Sequence, residues 1–223
     1  LLDDVDFEKV VTEGVTSCFK NTGQSCNAPT RMLVPVDRHD EALGYAKSAA
    51  ESCAPGDPHD EKTVMGPVVS EIQFNKIQGL IQKGIDEGAT LVTGGTGRPE
   101  GLEKGYYVKP TIFGGANNNM TIAREEVFGP VITIIPYGTE EEAIEIANDT
   151  PYGLSSYIQS GNANRGKEMA GKLQTGMVHL NGAPVDFSAP FGGYKQSGNG
   201  REWGAHGFED YLETKAVMGY RKG

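Results

Sequence analysis

A cysteine in a polar turn is one candidate for covalent chemistry in this sequence. Cys26 lies in the string TGQSCNAP, residues 22–29, between an amphipathic helical pattern and an apolar strand candidate. A thiolate attacks electrophilic carbon well and later leaves well, so such a position suits covalent catalysis. Cysteine is also often a small buried hydrophobe, and this interpretation fits Cys18 and Cys53. For Cys26 both roles stay open, since the sequence identifies no histidine partner.

Two adjacent carboxylates form a second unusual string. Glu125 and Glu126 precede Val127, Phe128 and a Gly-Pro break, where a helical turn gives way to an apolar strand candidate. One interpretation is a solvated acidic pair followed by a core phenylalanine. The other is functional: one carboxylate binds a diol while the phenyl ring lies against a planar group. The residues alone leave both interpretations open.

The third string is a glycine-rich loop that carries aromatic side chains, APFGGYKQSGNGRE at residues 189–202. Loops of this length in compact domains tend to be functional, although a plain surface excursion would have the same composition. The chain contains no G-x-x-x-x-G-K-[ST] string, and no G-x-G-x-x-G follows a strand candidate. The sequence therefore shows no self-contained phosphate or dinucleotide site.

Alternating helices and strands must position these strings. An apolar face at helical spacing predicts a helix from Phe7 with Asp3 or Asp4 as N-cap, and capping boxes begin at Ser70 and Thr139. Further helices are predicted at residues 43–53, 164–173 and 206–212, with one helical turn near 120–126. Strands are predicted at residues 31–36, 89–93, 106–113, 131–137, 154–159, 176–181 and 214–220.

This alternation predicts an α/β fold with a largely parallel sheet and helices on both faces. The nearly continuous apolar run VITIIPY is typical of a strand that is covered on both sides. No internal repeat and no linker divides the 223 residues. We therefore predict a single domain over residues 1–223.

Composition excludes several classes of partner. Twenty basic and thirty acidic residues give a net charge of −10, so the field of the protein repels phosphate backbones and nucleic acid is not an expected partner. The four histidines are scattered without metal-ligand spacing, and we expect no metal site.

Cysteine usage and hydropathy indicate the compartment. Three cysteines without a CxxC pair are typical of a reducing compartment rather than of a disulfide framework. No apolar run approaches the ~18 residues of a membrane-spanning helix, and the first ten residues are too acidic for a signal peptide. We expect a cytoplasmic protein with no membrane partner.

Taken together, the three strings resemble those of the aldehyde dehydrogenase superfamily. The strings are F-x-x-x-G-Q-S-C-N-A, E-E-V-F-G-P-V and P-F-G-G-Y-K-Q-S-G-N-G-R-E, in the order and approximate spacing of that family's catalytic half. The resemblance covers nearly the whole chain, from about residue 1 to 220. It implies the fold of the family's catalytic domain and an NAD(P)-dependent oxidation of an aldehyde substrate to a carboxylic acid.

The resemblance also implies roles for individual residues. Cys26 matches the nucleophile, Glu126 the carboxylate that binds the nicotinamide ribose, and Phe128 an aromatic beside that ribose. Lys76, with Gln73 near it, matches a peripheral cofactor contact, although a capping-box role explains Gln73 equally well.

Two further assignments fall in the glycine-rich loop. Phe191 matches an aromatic that lines the aldehyde channel, and Glu202 matches a position proposed as a proton relay. The terminal residues 212–223 resemble the family's sheet-extending strand at subunit contacts, which implies a homodimer or homotetramer.

Part of the family's machinery lies upstream of the 25 residues that precede Cys26 here. The resemblance places there the glutamate base of an E-L-G-G-K string, the asparagine of the oxyanion hole and the dinucleotide-binding domain. The expectation is an isolated catalytic domain that is inactive alone.

Three hypotheses therefore stand. The first is an acid-forming NAD(P)-dependent aldehyde dehydrogenase. The second keeps the fold but transfers the acyl group to coenzyme A, as in acylating semialdehyde dehydrogenases. The third is a catalytically idle scaffold domain, against which the joint presence of Cys26, Glu126 and Phe128 argues. The identity of the aldehyde and the choice between NAD and NADP stay open.

Overall fold

The computed structural model describes residues 1–219 and 221. Its helices are α1 (Phe7–Phe19), α2 (His39–Ser52), α3 (Glu71–Asp86), α4 (Thr121–Arg124), α5 (Glu140–Asn148), α6 (Ala163–Ala170) and α7 (Gly204–Glu209). Its strands are β1 (Arg31–Pro35), β2 (Thr90–Thr93), β3 (Thr111–Gly114), β4 (Val131–Tyr137), β5 (Ser155–Ile158) and β6 (Met177–Leu180). Three short 3-10 helices lie at Lys20–Gly23 after α1, at Val36–Arg38 after β1, and at Lys195–Ser197 in the glycine-rich loop.

The strands form a four-stranded and a two-stranded sheet. The larger sheet has the order β1-β4-β3-β2, in which β4 pairs in parallel with both β1 and β3, while β2 is an antiparallel edge. The smaller sheet is the parallel pair β5-β6. The prediction of an α/β fold with a largely parallel sheet is confirmed.

Helices cover both faces of the larger sheet, and the alternation along β4 shows why. Ile132 and Ile134 pack in one cluster with side chains of α1 and α2. Val131 packs on the opposite face with Ile77 of α3, and Ile135 packs beside Ala123 of α4. Because both faces of β4 are buried, its sequence is apolar at nearly every position.

Several predicted boundaries were wrong by a few residues. The N-cap of α1 is Asp6, whose side chain accepts a hydrogen bond from the Lys9 N–H, and not Asp3 or Asp4. Helix α2 begins at His39, four residues before the predicted start, because polar residues of its first turn carry no apolar periodicity. The predicted strand at 106–113 reduces to β3, since only that part lies beside β4.

The predicted strand at 214–220 is also wrong where the structure describes it. Residues 214–219 belong to no strand, and Tyr220 lies outside the described residues. A strand needs a neighbouring strand for its backbone hydrogen bonds, and within the described part of the chain nothing pairs with this segment. Val217 and Met218 are exposed there.

Contacts between the N-terminal segment and the smaller sheet favour a single domain, which stays a prediction. The Leu2 N–H donates to the Gln159 carbonyl at 3.0 Å. Arg165 of α6 forms ion pairs with Asp3 and with Glu140 of α5. Among residues 1–219 and 221, no helix is both long enough and apolar enough to cross a bilayer.

Two glycines allow a close backbone contact between the loop after α1 and the segment before β4. Gly23 has a φ of +70°, and a Cβ added there would overlap the carbonyl of Gly129. A Cβ added at Gly129 would lie 2.5 Å from Cδ1 of Ile77. A side chain at Gly23 would therefore overlap backbone atoms, and one at Gly129 would have to displace the buried Ile77 side chain.

We expect Gly23→Ala to lower the free energy of unfolding of the chain by about 2–4 kcal/mol, because it adds left-handed strain and a steric overlap. The matched control is Gly101→Ala, which has a φ of +79° but no atom within 4 Å of the added Cβ. It should cost only about 1 kcal/mol, the strain alone. Urea unfolding measures both, and equal losses would show that the close contact contributes nothing.

Candidate active site

The turn that carries Cys26 is built by an abrupt reversal of the chain. Asn21, Thr22 and Gly23 have positive φ angles of 51°, 57° and 70°. Directly after them the Ala28 N–H donates to the Ser25 carbonyl at 3.0 Å, which closes a turn with Cys26 at its centre. The result is an exposed thiol at the tip of a tightly closed loop.

Side chains on both sides of the reversal anchor it to other elements. The Thr22 hydroxyl donates to the Gly66 carbonyl at 3.1 Å. The side-chain oxygen of Gln24 accepts the Val69 N–H at 2.9 Å. These bonds fix the entry to the turn against the segment that leads into α3.

The other two cysteines differ from Cys26 in burial. Cys18 and Cys53 are 0% and 2% exposed, whereas Cys26 is exposed. Burial raises the pKa of the Cys18 thiol to about 12, so it stays protonated at neutral pH. Cys26 is therefore the exposed thiol of the three, and its role as a nucleophile stays a prediction.

Helix α3 holds the segment that carries Glu126 and Phe128. The Gln73 side-chain amide donates to the carbonyls of Val127 and Phe128 at 3.0 and 2.8 Å. The Lys76 ammonium donates to the Glu126 carbonyl at 2.7 Å. Three consecutive carbonyls are thus fixed by two side chains, and Phe128 is held at a φ of 56°, which is uncommon for a bulky residue.

The capping box predicted at Ser70 is only half formed. The Ser70 hydroxyl accepts the Gln73 N–H at 3.2 Å, as expected of an N-cap. The Gln73 side-chain oxygen does not accept the Ser70 N–H, because the amide group is directed instead toward the carbonyls described above, to which its nitrogen donates. Its contact to the Glu126–Phe128 segment was not predicted.

A cavity of about 1160 Å³ brings three of the predicted site residues together. Cys26, Glu126 and Phe128 all line it. No hydrogen bond or ion pair joins the Glu126 carboxylate to another described residue, and the side chain is exposed. A free carboxylate beside an aromatic ring fits the hydroxyls and planar ring of a nicotinamide riboside, so the residues present suit that cofactor.

The remaining predicted residues lie outside the wall of this cavity. Lys76 contacts the Glu126–Phe128 segment through a hydrogen bond to the Glu126 carbonyl. Phe191 packs on Trp203 with ring centroids 4.8 Å apart. Its backbone pairs in both directions with Glu202, whose side chain is exposed. The structure therefore does not join Phe191 and Glu202 to Cys26.

Sequence reasoning missed two aromatic side chains beside the Cys26 turn. Tyr157 of β5 and His179 of β6 are register partners whose rings stack at 4.9 Å and 15°. The Tyr157 hydroxyl donates to the Asn27 carbonyl at 2.7 Å. No motif marks either residue, and the sequence predicted only that each lies on a strand.

Metal ligation has no candidate in this region. Among the described residues, no group of three His, Cys, Asp or Glu side chains is close enough to hold a metal ion. The chemistry available at the cavity is that of an exposed thiol, an unpaired carboxylate and backbone N–H groups.

Comparison with known proteins gives this geometry a family context. The sequence profile of the Aldehyde dehydrogenase family matches residues 1–217. A 3-succinoylsemialdehyde-pyridine dehydrogenase from a Pseudomonas species is 57% identical over 220 residues, which are 99% of this chain and 46% of that protein. The chain thus spans about half the length of the relatives that it matches.

Solved structures that match this chain are also aldehyde dehydrogenases. An aldehyde dehydrogenase C mutant from Pseudomonas syringae, in complex with NAD+ and octanal, matches with a TM-score of 0.96 and 49% identity over 100% of this chain and 46% of that chain. A Mycobacterium tuberculosis aldehyde dehydrogenase in complex with NAD+ matches with a TM-score of 0.94 and 43% identity over 99% and 46%. The chain belongs to the aldehyde dehydrogenase family.

Proposed function

We propose that the protein containing this chain oxidises an aldehyde to a carboxylic acid, with Cys26 as nucleophile and NAD or NADP as hydride acceptor. One observation carries the proposal: an exposed thiol and an unpaired carboxylate, Glu126, line the same cavity. The relatives named above are aldehyde dehydrogenases of about twice this length. The activity is therefore proposed for the whole protein.

The thiol chemistry follows from the turn. The Cys26 thiolate adds to the aldehyde carbon, and the carbonyl π electrons move to oxygen as the C–S bond forms. Among the described residues the Cys26 N–H has no acceptor, so it is free to donate to the developing oxyanion. Departure of hydride re-forms the carbonyl as a thioester, which water cleaves to release the acid and the thiolate.

The cofactor supplies the hydride acceptor when it is bound. Glu126 would accept hydrogen bonds from the ribose hydroxyls, and Phe128 would lie beside the same unit. Lys76 supports this role by fixing the Glu126 backbone, with its ammonium 2.7 Å from the Glu126 carbonyl. Solved relatives in complex with NAD+ favour NAD, and the choice over NADP belongs to residues outside this chain.

Other parts of the proposal depend on the rest of the protein. Phe191 is retained as an aromatic of the aldehyde channel, which other segments would complete. The glutamate base and the second oxyanion donor are expected upstream, so the 223 residues alone should be inactive. Octanal in one solved relative and a pyridine semialdehyde in the name of another support an aldehyde of medium size.

We also propose a cytoplasmic homo-oligomer. The three cysteines are all free thiols, which suits a reducing compartment. Several large apolar side chains near the C-terminus are exposed, including Tyr211, Leu212 and Met218, and a second copy of the chain would cover them.

We expect Cys26→Ala in the full-length protein to abolish aldehyde-dependent NADH formation, because Cys26 is the proposed nucleophile and the other two thiols of this chain are buried. Cys53→Ala and Cys18→Ala are the matched controls, since both thiols are buried. They should keep the chemistry and lose only stability, about 1 kcal/mol for one small buried side chain. Substantial turnover by Cys26→Ala would refute the nucleophile assignment.

We expect Glu126→Gln to slow hydride transfer by about 10- to 100-fold, the worth of hydrogen bonds to a charged acceptor. Cofactor affinity should change less, because most cofactor contacts lie elsewhere. Glu125→Gln removes the adjacent exposed carboxylate and should have little effect. Single-turnover absorbance of NADH measures the step, and an unchanged rate in Glu126→Gln would identify the pair as merely solvated.

A further inference from the structure

The exit from the Cys26 turn is held by one side chain from outside it. Among the described residues, the hydrogen bonds made by residues 25–28 are the turn bond from Ala28, the bond between Ser25 and Asn27 at 2.7 Å, the bond from Tyr157, and a bond from the Thr30 N–H to the Ala28 carbonyl at 2.9 Å just past the turn. The first two are internal to the turn. The Tyr157 hydroxyl, 2.7 Å from the Asn27 carbonyl, is the external anchor.

The position of this bond matters because Asn27 follows the thiol-bearing residue directly. Rotation of the Asn27 peptide moves the backbone of Cys26 and with it the direction of Sγ. The entry to the turn is fixed separately through Thr22 and Gln24. After the turn, the next hydrogen bond to another element runs from the Thr133 N–H to the Thr30 carbonyl at 2.9 Å, where β1 begins. Without the Tyr157 bond, residues 25–28 would therefore have no hydrogen bond to another element of the described chain between Gln24 and Thr30.

Tyr157 is itself held in place. Its ring stacks on His179, the register partner on β6, and Nδ1 of His179 lies 2.9 Å from the Ala183 carbonyl. Burial, followed by the negative charge of Cys26, raises the pKa of the Tyr157 hydroxyl, so it remains a neutral donor at physiological pH. The two-stranded sheet thus presents a fixed donor to the turn.

We propose that Tyr157 is a positioning residue that fixes the orientation of the Cys26 thiol through the Asn27 carbonyl, and that the β5-β6 sheet therefore sets the geometry of attack. The inference rests on the proposed role of Cys26 as nucleophile. Tyr157 touches neither the aldehyde nor the thiol in this account. It acts through one backbone hydrogen bond.

The test is Tyr157→Phe in the full-length protein, with octanal and NAD+. The phenyl ring preserves the stack on His179 and removes only the hydroxyl. We expect kcat to fall about 3- to 10-fold, as for the loss of one net hydrogen bond, with the KM for aldehyde changed less than about 2-fold. The rate of Cys26 alkylation by iodoacetamide should also stay within about 2-fold, because a small reagent reaches an exposed thiol from many directions.

The matched control is Tyr137→Phe. Its hydroxyl also donates to a backbone carbonyl, that of Leu1 at 2.6 Å, and is also part-buried. Tyr137 lies at the carboxyl end of β4, level with Pro35, whereas Cys26 precedes the amino end of β1. We expect a similar shift in unfolding temperature but an unchanged kcat.

Three results would overturn the inference. The first is an unchanged kcat in Tyr157→Phe. The second is a parallel fall in alkylation, which would indicate lost accessibility of Cys26 rather than lost orientation. The third is an equal loss of kcat in Tyr137→Phe, which would indicate general destabilisation. Activity retained by Cys26→Ala would refute the proposed function instead, so the two failures are distinguishable.

Discussion

The backbone contact between Gly23 and Gly129 is the constraint on which the site depends. A side chain at Gly23 would overlap the backbone of Gly129, so only glycine at position 23 lets the two segments approach this closely. One segment then turns to expose Cys26, and the other leads back to Glu126 and Phe128. The contact therefore holds together the two segments that bring Cys26 and Glu126 to the same cavity.

Helix α3 fixes the Glu126–Phe128 segment further, in addition to the glycine contact. Gln73 and Lys76 bind three consecutive carbonyls, which leaves the side chains of Glu126 and Phe128 free to face the cavity. Backbone polar groups are satisfied by the scaffold, so the functional side chains need no structural partners of their own. This division of roles suits a preorganised site, in which the binding groups are fixed before a ligand arrives.

The sequence predicted elements with strong periodicity and missed those that depend on tertiary contacts. The apolar run of β4 and the motifs around Cys26 and Glu126 were sufficient for the fold and for three cavity residues. The second anchor of the turn, Tyr157, was not predictable, because its role arises from strand pairing between β5 and β6 and from a hydrogen bond across 130 residues. The strand prediction was wrong over the described residues 214–219, because strand propensity without a partner forms no sheet.

The proposed function depends on one step, the oxidation of the aldehyde while it is covalently attached to Cys26. The most direct measurement is acid quenching of the full-length protein during turnover with octanal and NAD+, followed by mass spectrometry of its peptides. We expect an octanoyl group on the peptide containing Cys26 and none on the peptides containing Cys18 or Cys53. Acylation of another residue, or rapid turnover with no acyl group on Cys26, would contradict it.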